Sequence, residues 1–189
     1  MIPEAGLAAT DAGLVADGPG WFVVNAREAA RWIHREGRGD SLPFTGWADE
    51  AAGAFPELGV NLVRLSPGEP IGMYHWEADV EDFLVLAGEG LLLVEGRERP
   101  LRQWDFVHCP PETSHIIVGA GDGPCLVLAV GSRRHQETEG WGAYTVDPVA
   151  VRHGAGVEAK TADARTAYAR FPAQRPTRYR DGWLPSFRA

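Results

Sequence analysis

Between residues 59 and 132 the chain alternates short apolar runs with turn residues. The runs are rich in Val, Leu, Ile and Phe, a composition that is typical of β-strands. We expect seven strands, from the runs NLVRL, IGMYHWE, EDFLVLA, LLLVEG, DFVHC, HIIVG and CLVLAVG. Seven short strands in about seventy-five residues are typical of a β-sandwich or a β-barrel.

The breaks between these runs carry residues suited to hairpin turns. Each contains glycine, in the sequences SPG, GEG, EG and GDG that begin at residues 66, 88, 95 and 121. Glycine adopts a positive φ without steric cost, which tight hairpins require. No helical crossover pattern separates the runs, so the sequence predicts antiparallel sheets.

The strand-rich block divides the chain into three parts. Residues 58–132 are expected to form the barrel core. Residues 1–57 are expected to be an N-terminal arm with a strand and a helix packed on the barrel, and residues 133–189 a C-terminal extension with one short helix. The block is not duplicated, so we predict a single barrel.

One helix is expected in each flanking part. Asn25, with Glu28 three residues later, resembles a capping box and predicts a helix through Ile33, after a short strand at 21–24. In the second part Thr161 is the expected N-cap of a helix in the sequence TADARTAYARF. The rest of both parts is interpreted as extended terminal arms.

Four side chains could supply metal ligands. His75 and Glu77 are two residues apart on one predicted strand, so they face the same side of it. Glu81 begins the next predicted strand, and His115 opens a later one that is well placed if the barrel closes. Imidazole and carboxylate donors suit Fe, Mn, Ni, Zn or Cu as a divalent ion, and the sequence does not choose among them.

Other residues are interpreted through the same strand alternation. Met73, Phe83 and Val85 share the facing of the candidate ligands and are expected in the barrel interior, where they could also line a pocket. His108 lies among apolar neighbours, so we expect a hydrogen-bonded core residue, with the pocket wall as its alternative position.

The charge balance and the chain termini narrow the choice of partner. The net charge is -8, from 26 acidic and 18 basic residues, and no basic run is present, so nucleic acid is not an expected partner. No apolar run approaches membrane-spanning length, and the first residues do not resemble a signal peptide. We therefore expect a cytoplasmic protein without a membrane partner, in which Cys109 and Cys125 are reduced.

Two stretches of the sequence resemble the motifs of the cupin superfamily. Residues 68–88 are similar to the first motif, in which His75 and Glu81 match the first histidine and the glutamate, while Glu77 stands where a second histidine is usual. Residues 104–119 are similar to the second motif, which contains the metal-binding His115. From the start of the first stretch to the end of the second, the resemblance spans residues 68–119, less than a third of the chain.

The resemblance implies an all-β fold, the double-stranded β-helix or jelly-roll cupin barrel. It also implies one divalent metal ion bound by His75, Glu81 and His115, with Glu77 as a candidate fourth ligand. Departures from the family pattern include Trp104 and Glu112, which occupy positions where the family favours glycine.

Two classes of function remain open at this point. The first is a metal-dependent enzyme, such as an oxygenase, isomerase or lyase, that acts on a small organic molecule and uses Glu77 as a catalytic base. The second is a non-catalytic module that binds or senses a small molecule, because a fold alone does not imply catalysis.

Strand alternation also suggests an assembly. If His75 and Glu77 face inward, the apolar side chains between and opposite them face outward, namely Tyr74, Trp76, Leu84 and Leu86. A patch of this kind is usually covered, so we expect a homodimer. The alternative cover is the chain's own arms, with Trp21, Trp183 and Phe187 as anchors.

Overall fold

The computed structural model describes residues 1–45, 57–136 and 138–185. Its strands are β1 Gly6–Thr10, β2 Gly13–Asp17, β3 Ile33–His34, β4 Asp40–Thr45, β5 Leu58–Leu65, β6 His75–Glu77, β7 Glu81–Ala87, β8 Glu89–Val94, β9 Arg97–Arg102, β10 Phe106–Cys109, β11 His115–Ala120, β12 Cys125–Ser132, β13 Gly142–Tyr144 and β14 Arg175–Pro176. Two short helices follow the barrel, α1 Pro148–Arg152 and α2 Ala164–Ala167. None of the helices described is long and apolar enough to cross a membrane.

Two antiparallel sheets form the barrel. One has seven strands in the order β10-β7-β12-β5-β4-β3-β14, and the other has five in the order β13-β6-β11-β8-β9. The core between them is built from side chains of both sheets, among them Val63, Phe83, Val85, Ile117 and Val127. These residues alternate along their strands with outward-facing neighbours, as a two-layer β-structure requires. The all-β barrel expected from the sequence is confirmed.

The described chain has eight strands between residues 58 and 132, one more than expected. The additional strand is β9, whose sequence RERPLR is polar and contains Pro100. It lies at the edge of the five-stranded sheet. Edge strands tolerate proline and charged residues because one side of the strand has no partner, so the apolar pattern did not reveal it.

The expected N-terminal helix is wrong. Residues 26–31 form turns instead, and the backbone N–H groups of Glu28 and Ala29 donate to the carbonyl of Asn25 at 2.9 and 3.0 Å. The chain then leaves the helical path, and Trp32 is fully buried with its indole N–H donating to the Ala26 carbonyl at 2.8 Å. Burial of the large indole outside the barrel overrides the weak local helix signal.

Other local predictions outside the barrel also need correction. The expected strand at 21–24 is a single bridge between Trp21 and Glu4, and the first residues form the β1–β2 hairpin instead of a loose arm. The C-terminal extension has two short helices, and the side chain of Asp163, not Thr161, caps the second. Asp and Thr are both good N-caps, so the sequence alone could not separate them.

The outer faces of both sheets are covered by the chain itself. Leu86 and Leu128, on the seven-stranded sheet, pack against a cluster that contains Trp32 and Trp183. Tyr74, just before β6 of the five-stranded sheet, is 2% exposed and packs in a cluster with the α1 residue Ala150. Trp183 is therefore an anchor as expected, while Trp21 is 52% exposed and is not, and Phe187 lies outside the described residues.

Candidate metal centre

Three of the four candidate ligands lie where the two sheets face each other. His75 on β6 and His115 on β11 are direct partners in the five-stranded sheet. Glu81 begins β7 in the seven-stranded sheet. A site made from these residues therefore contains donors from both sheets.

The donor atoms of all four residues are close together. The Nε2 atoms of His75 and His115 lie 3.5 and 3.3 Å from Oε2 of Glu81. Oε1 of Glu77 lies 3.4 Å from Nε2 of His75, on the side that strand alternation predicted. The two imidazole rings are 5.4 Å apart, centre to centre. Donor atoms of His75, Glu77 and Glu81 thus lie within 4.8 Å of one another, and His115 joins this group through Glu81.

The tautomers of both histidines are fixed by the backbone. Nδ1 of His75 lies 2.7 Å from the Met73 carbonyl oxygen, and Nδ1 of His115 lies 2.9 Å from that of Thr113. A carbonyl oxygen only accepts, so each Nδ1 carries the proton and donates it. This is the orientation in which a metal-binding histidine is commonly held, with Nε2 free for the metal.

The buried donor atoms lack partners of good geometry. Oε2 of Glu81 and Nε2 of His115 are both buried and have no hydrogen-bond partner among the described residues. Unsatisfied polar atoms of this kind are rare in protein interiors. Ligands bound at about 2.1 Å are separated by about 3.0 Å in octahedral and about 3.4 Å in tetrahedral geometry. The residues and spacings therefore fit a divalent cation.

The charges of the site act strongly on one another. Burial lowers the pKa of His115, but its contacts with Cys109 and Glu81 outweigh this and raise the pKa to about 9. Burial likewise opposes the charged form of His75, yet Glu77 and Glu81 raise its pKa well above the usual value. Burial raises the pKa of Glu81, but His115 and His75 lower it overall. Without a cation the site favours protonated imidazoles, and a metal ion competes with those protons.

The site opens on one side. The side chain of His115 is 2% exposed, while those of His75, Glu81 and Glu77 are 14%, 19% and 28% exposed. A molecule approaching the centre therefore meets Glu77 before it meets His115.

Three residues border the centre, and sequence reasoning missed two of them, Tyr144 and Cys109. Phe83, an expected interior residue, has its ring 5.4 Å from that of His115. Tyr144 on β13 pairs with His75, and the two rings are 5.8 Å apart. Its position depends on a distant strand of only three residues, so no local pattern could have found it. Cys109 lies opposite Glu81 in the sheet. Paired residues on neighbouring strands face the same side of the sheet, so this position could have been predicted from the sequence.

His108 occupies neither of its expected positions. Its side chain is 55% exposed, and Nδ1 lies 2.6 Å from Oδ1 of Asp82. Strand alternation explains this placement, because its neighbours Val107 and Cys109 are buried. The core and pocket-wall interpretations of His108 are both wrong.

Comparison with known proteins gives matches over the barrel. The model of the cupin domain family matches residues 61–131. The oxalate-binding protein of Thermotoga maritima is 29% identical over 68 residues, which are 36% of this chain and 56% of that protein. This chain thus spans little more than half the length of that relative.

Solved structures with related barrels were also found. A sugar phosphate isomerase of the cupin superfamily from Silicibacter pomeroyi is 31% identical, with a TM-score of 0.43 over 50% of this chain and 59% of that one. A cupin-like protein from Thermotoga maritima is 20% identical, with a TM-score of 0.45 over 58% of this chain and 78% of that one. The family match and the antiparallel barrel agree, and both support a cupin domain at residues 61–131.

Proposed function

We propose that this cupin holds one divalent metal ion on His75, Glu81 and His115 and uses it to bind a small organic molecule, on which it acts as an oxygenase, isomerase or lyase. One observation carries the proposal. Both imidazoles are fixed with Nδ1 donating to a carbonyl, so that both Nε2 atoms face the buried oxygen of Glu81 at 3.3 and 3.5 Å. Two acceptors facing a carboxylate are stable only with a cation or protons between them.

The position of each side chain around the centre determines its proposed role. A bound divalent ion would supply a Lewis acid that polarises an oxygen atom of the organic molecule. Phe83 and Tyr144 border the centre with apolar ring surface and limit the access of water. Glu77 is the most exposed of the four acidic and imidazole groups, so its carboxylate is the best placed to take a proton from the bound molecule.

Non-catalytic binding or sensing of a small molecule is the second candidate. It is favoured if Glu77 is a metal ligand. If Glu77 coordinates the ion together with Glu81, two carboxylates neutralise a divalent charge and weaken its Lewis acidity. Glu77 would then hold the ion and leave no base free for proton transfer. The role of this one side chain separates the two functions.

The metal centre is tested by titrating metal-free protein with Zn²⁺, Mn²⁺, Fe²⁺, Ni²⁺ and Cu²⁺ by calorimetry, with elemental analysis of the loaded protein. We expect one ion per chain and a loss of affinity of more than about 100-fold for His75→Ala or His115→Ala. His153→Ala is the matched control, because His153 pairs with Glu98 at 2.9 Å, outside the candidate site. Full occupancy in the His75→Ala, His115→Ala double variant would exclude the site.

Glu77→Gln then distinguishes the two functions. Unchanged metal affinity with lost turnover of a substrate assigns Glu77 as a base, whereas weakened metal binding assigns it as a ligand. The amide keeps the shape of the side chain, so a general loss of folding is not expected.

Two further expectations remain proposals, a homodimer and a cytoplasmic location. The surface that suggested the dimer is partly covered, because Tyr74 is buried and Leu86 packs against the cluster of Trp32. Trp104, just before the edge strand β10, and Phe106, its first residue, are 62% and 63% exposed, and they offer an apolar surface for a second copy.

A further inference from the structure

A second concave site lies outside the metal centre, between the turn at residues 35–38 and the C-terminal extension. The cavity has a volume of about 530 Å³. We call it the arginine pocket, because Arg35, Arg38 and Arg165 line it together with Tyr168, Phe171 and Gln174. Its volume lies within the range of small-molecule sites.

Two guanidinium groups in this pocket lack a counter-charge. The Nε atoms of Arg35 and Arg38 are buried and have no hydrogen-bond partner in the described part of the chain. Neither residue forms an ion pair within the residues described. Asp40 attracts Arg35, but its carboxylate is already engaged by His34 at 2.7 Å and by Arg64 at 3.7 Å. Positive charge therefore collects in a protein whose net charge is -8.

The electrostatic effect of this arrangement is large. Burial, followed by the neighbouring charge of Arg38, lowers the pKa of Arg35 to about 10. Burial also lowers the pKa of Arg38. A buried charge without a partner is destabilising, and two adjacent like charges add to the effect.

Aromatic rings fix one of the two guanidiniums. The guanidinium carbon of Arg38 lies 4.3 Å from the ring centre of Tyr168 and 5.0 Å from that of Phe171. Stacking covers a face of the guanidinium and leaves the N–H groups at its edge available to a ligand. Arg35 has no such ring contact within the described residues, so its charge is the less compensated of the two.

We propose that the arginine pocket binds an oxyanion, the phosphate or carboxylate group of a small molecule, which pairs with Arg35 and Arg38. Guanidinium groups recognise both anions through two parallel N–H···O bonds, which makes arginine the preferred residue for such sites. Arg165, an exposed residue at the rim, adds a third positive charge for an incoming anion. The site requires no metal, so this proposal can be tested independently of the proposed metal centre.

The test uses full-length, metal-free protein at constant ionic strength, with sodium phosphate in one titration and sodium succinate in another. We expect saturable binding of at least one anion by calorimetry and a rise in the melting temperature. Preference for phosphate or for succinate identifies the chemical source of the oxyanion. Arg35→Gln and Arg38→Gln should each weaken binding at least tenfold, because each removes a charge-assisted pair.

Arg99→Gln is the matched control, since Arg99 is exposed on β9 and its substitution removes the same charge far from the pocket lining. It should bind the anion as the unaltered protein does. Equal binding by Arg35→Gln and Arg99→Gln would overturn the proposal, as would the absence of saturable binding for both anions.

A stability measurement separates a binding role from a structural one. Without added anion, Arg35→Gln should melt at or above the temperature of the unaltered protein, because a partly buried charge with no ion-pair partner is removed. Addition of the anion should raise the melting temperature of the unaltered protein and of Arg99→Gln more than that of Arg35→Gln. If Arg35→Gln fails to fold, Arg35→Lys keeps the charge but loses the planar fork, and undiminished anion binding by that variant would contradict the proposal.

Discussion

Two hydrophobic clusters lie on opposite faces of the seven-stranded sheet, and they are built in different ways. The inner cluster consists mainly of branched aliphatic side chains from neighbouring strands, such as Val63, Val85 and Val127. The outer cluster centres on Trp32 and Trp183, whose rings meet edge to face at 5.0 Å. The first arises from alternation within each strand, and the second brings together opposite ends of the chain.

This difference shows that the terminal segments are part of the folded barrel. Leu42 and Leu62 on the sheet, 1% and 9% exposed, are buried under the two tryptophans. Without this cover they would form an apolar surface of the kind that a folded protein seldom exposes. The outer cluster should therefore contribute to stability as the inner one does, and each can be weakened separately.

The largest effect is expected in the outer cluster. Trp32→Ala removes a fully buried indole and its hydrogen bond to Ala26, so it should lower the free energy of unfolding by about 3–5 kcal/mol. Urea unfolding followed by circular dichroism measures the change. Trp21→Ala is the control, because Trp21 is 52% exposed and should change the free energy by less than about 0.5 kcal/mol. If Trp32→Ala lowered the free energy of unfolding no more than the small change expected for Trp21→Ala, the outer cluster would add no stability.

A smaller effect is expected in the inner cluster. Ile117 is 1% exposed between the sheets, and Ile117→Val removes one methylene group from it. The free energy of unfolding should fall by about 0.5–1.5 kcal/mol in the same urea experiment. Val151→Ala, at a position that is 53% exposed, should leave it nearly unchanged. A loss as large as that for Trp32→Ala would show that the inner packing is the less adaptable of the two.

The smallest effect concerns Cys125, one of the two cysteines of the inner cluster. Burial raises the pKa of Cys125 to about 11 from the ordinary value of 9.0, so the folded protein keeps this thiol protonated. Iodoacetamide at pH 8 should leave Cys125 unlabelled in the folded protein and label both Cys109 and Cys125 in urea. The unfolded thiol ionises first as pH rises, so the contribution of Cys125 to stability should be constant below about pH 9 and should decline between pH 9 and 11. Mass spectrometry that finds a disulfide would contradict the prediction.

Much of the barrel could be predicted because its strands follow simple alternation. The facing of His75 and Glu77 follows from their separation by two residues, and the order of turns follows from glycine. The edge strand β9 escaped prediction because Pro100 and its charged neighbours are tolerated where no second strand pairs. Helix α1 carried a readable signal, an Asp147 cap followed by Pro148, that the sequence analysis did not use.

The remaining features depend on contacts between distant parts of the chain. The turn at Asn25 could have continued as a helix, but Trp32 is drawn to Trp183, and no local signal encodes that contact. The same holds for Arg38, which stacks on Tyr168. Alternation and capping residues act over a few positions, whereas these pairs form only when the terminal segments lie on the barrel. The candidate ligands were found because motif spacing carries long-range information.

The division of the candidate ligands between the two sheets bears on the timescale of motion. His75 and His115 belong to one sheet and Glu81 to the other, so any fluctuation that parts the sheets also separates the imidazoles from the carboxylate. An ion bound by all three side chains would form a reversible cross-link between the two sheets. If the sheets part only after the ion dissociates, the backbone amides of β6 and β7 would exchange with deuterium no faster than the ion is released. Their exchange rates would then report the residence time of the ion.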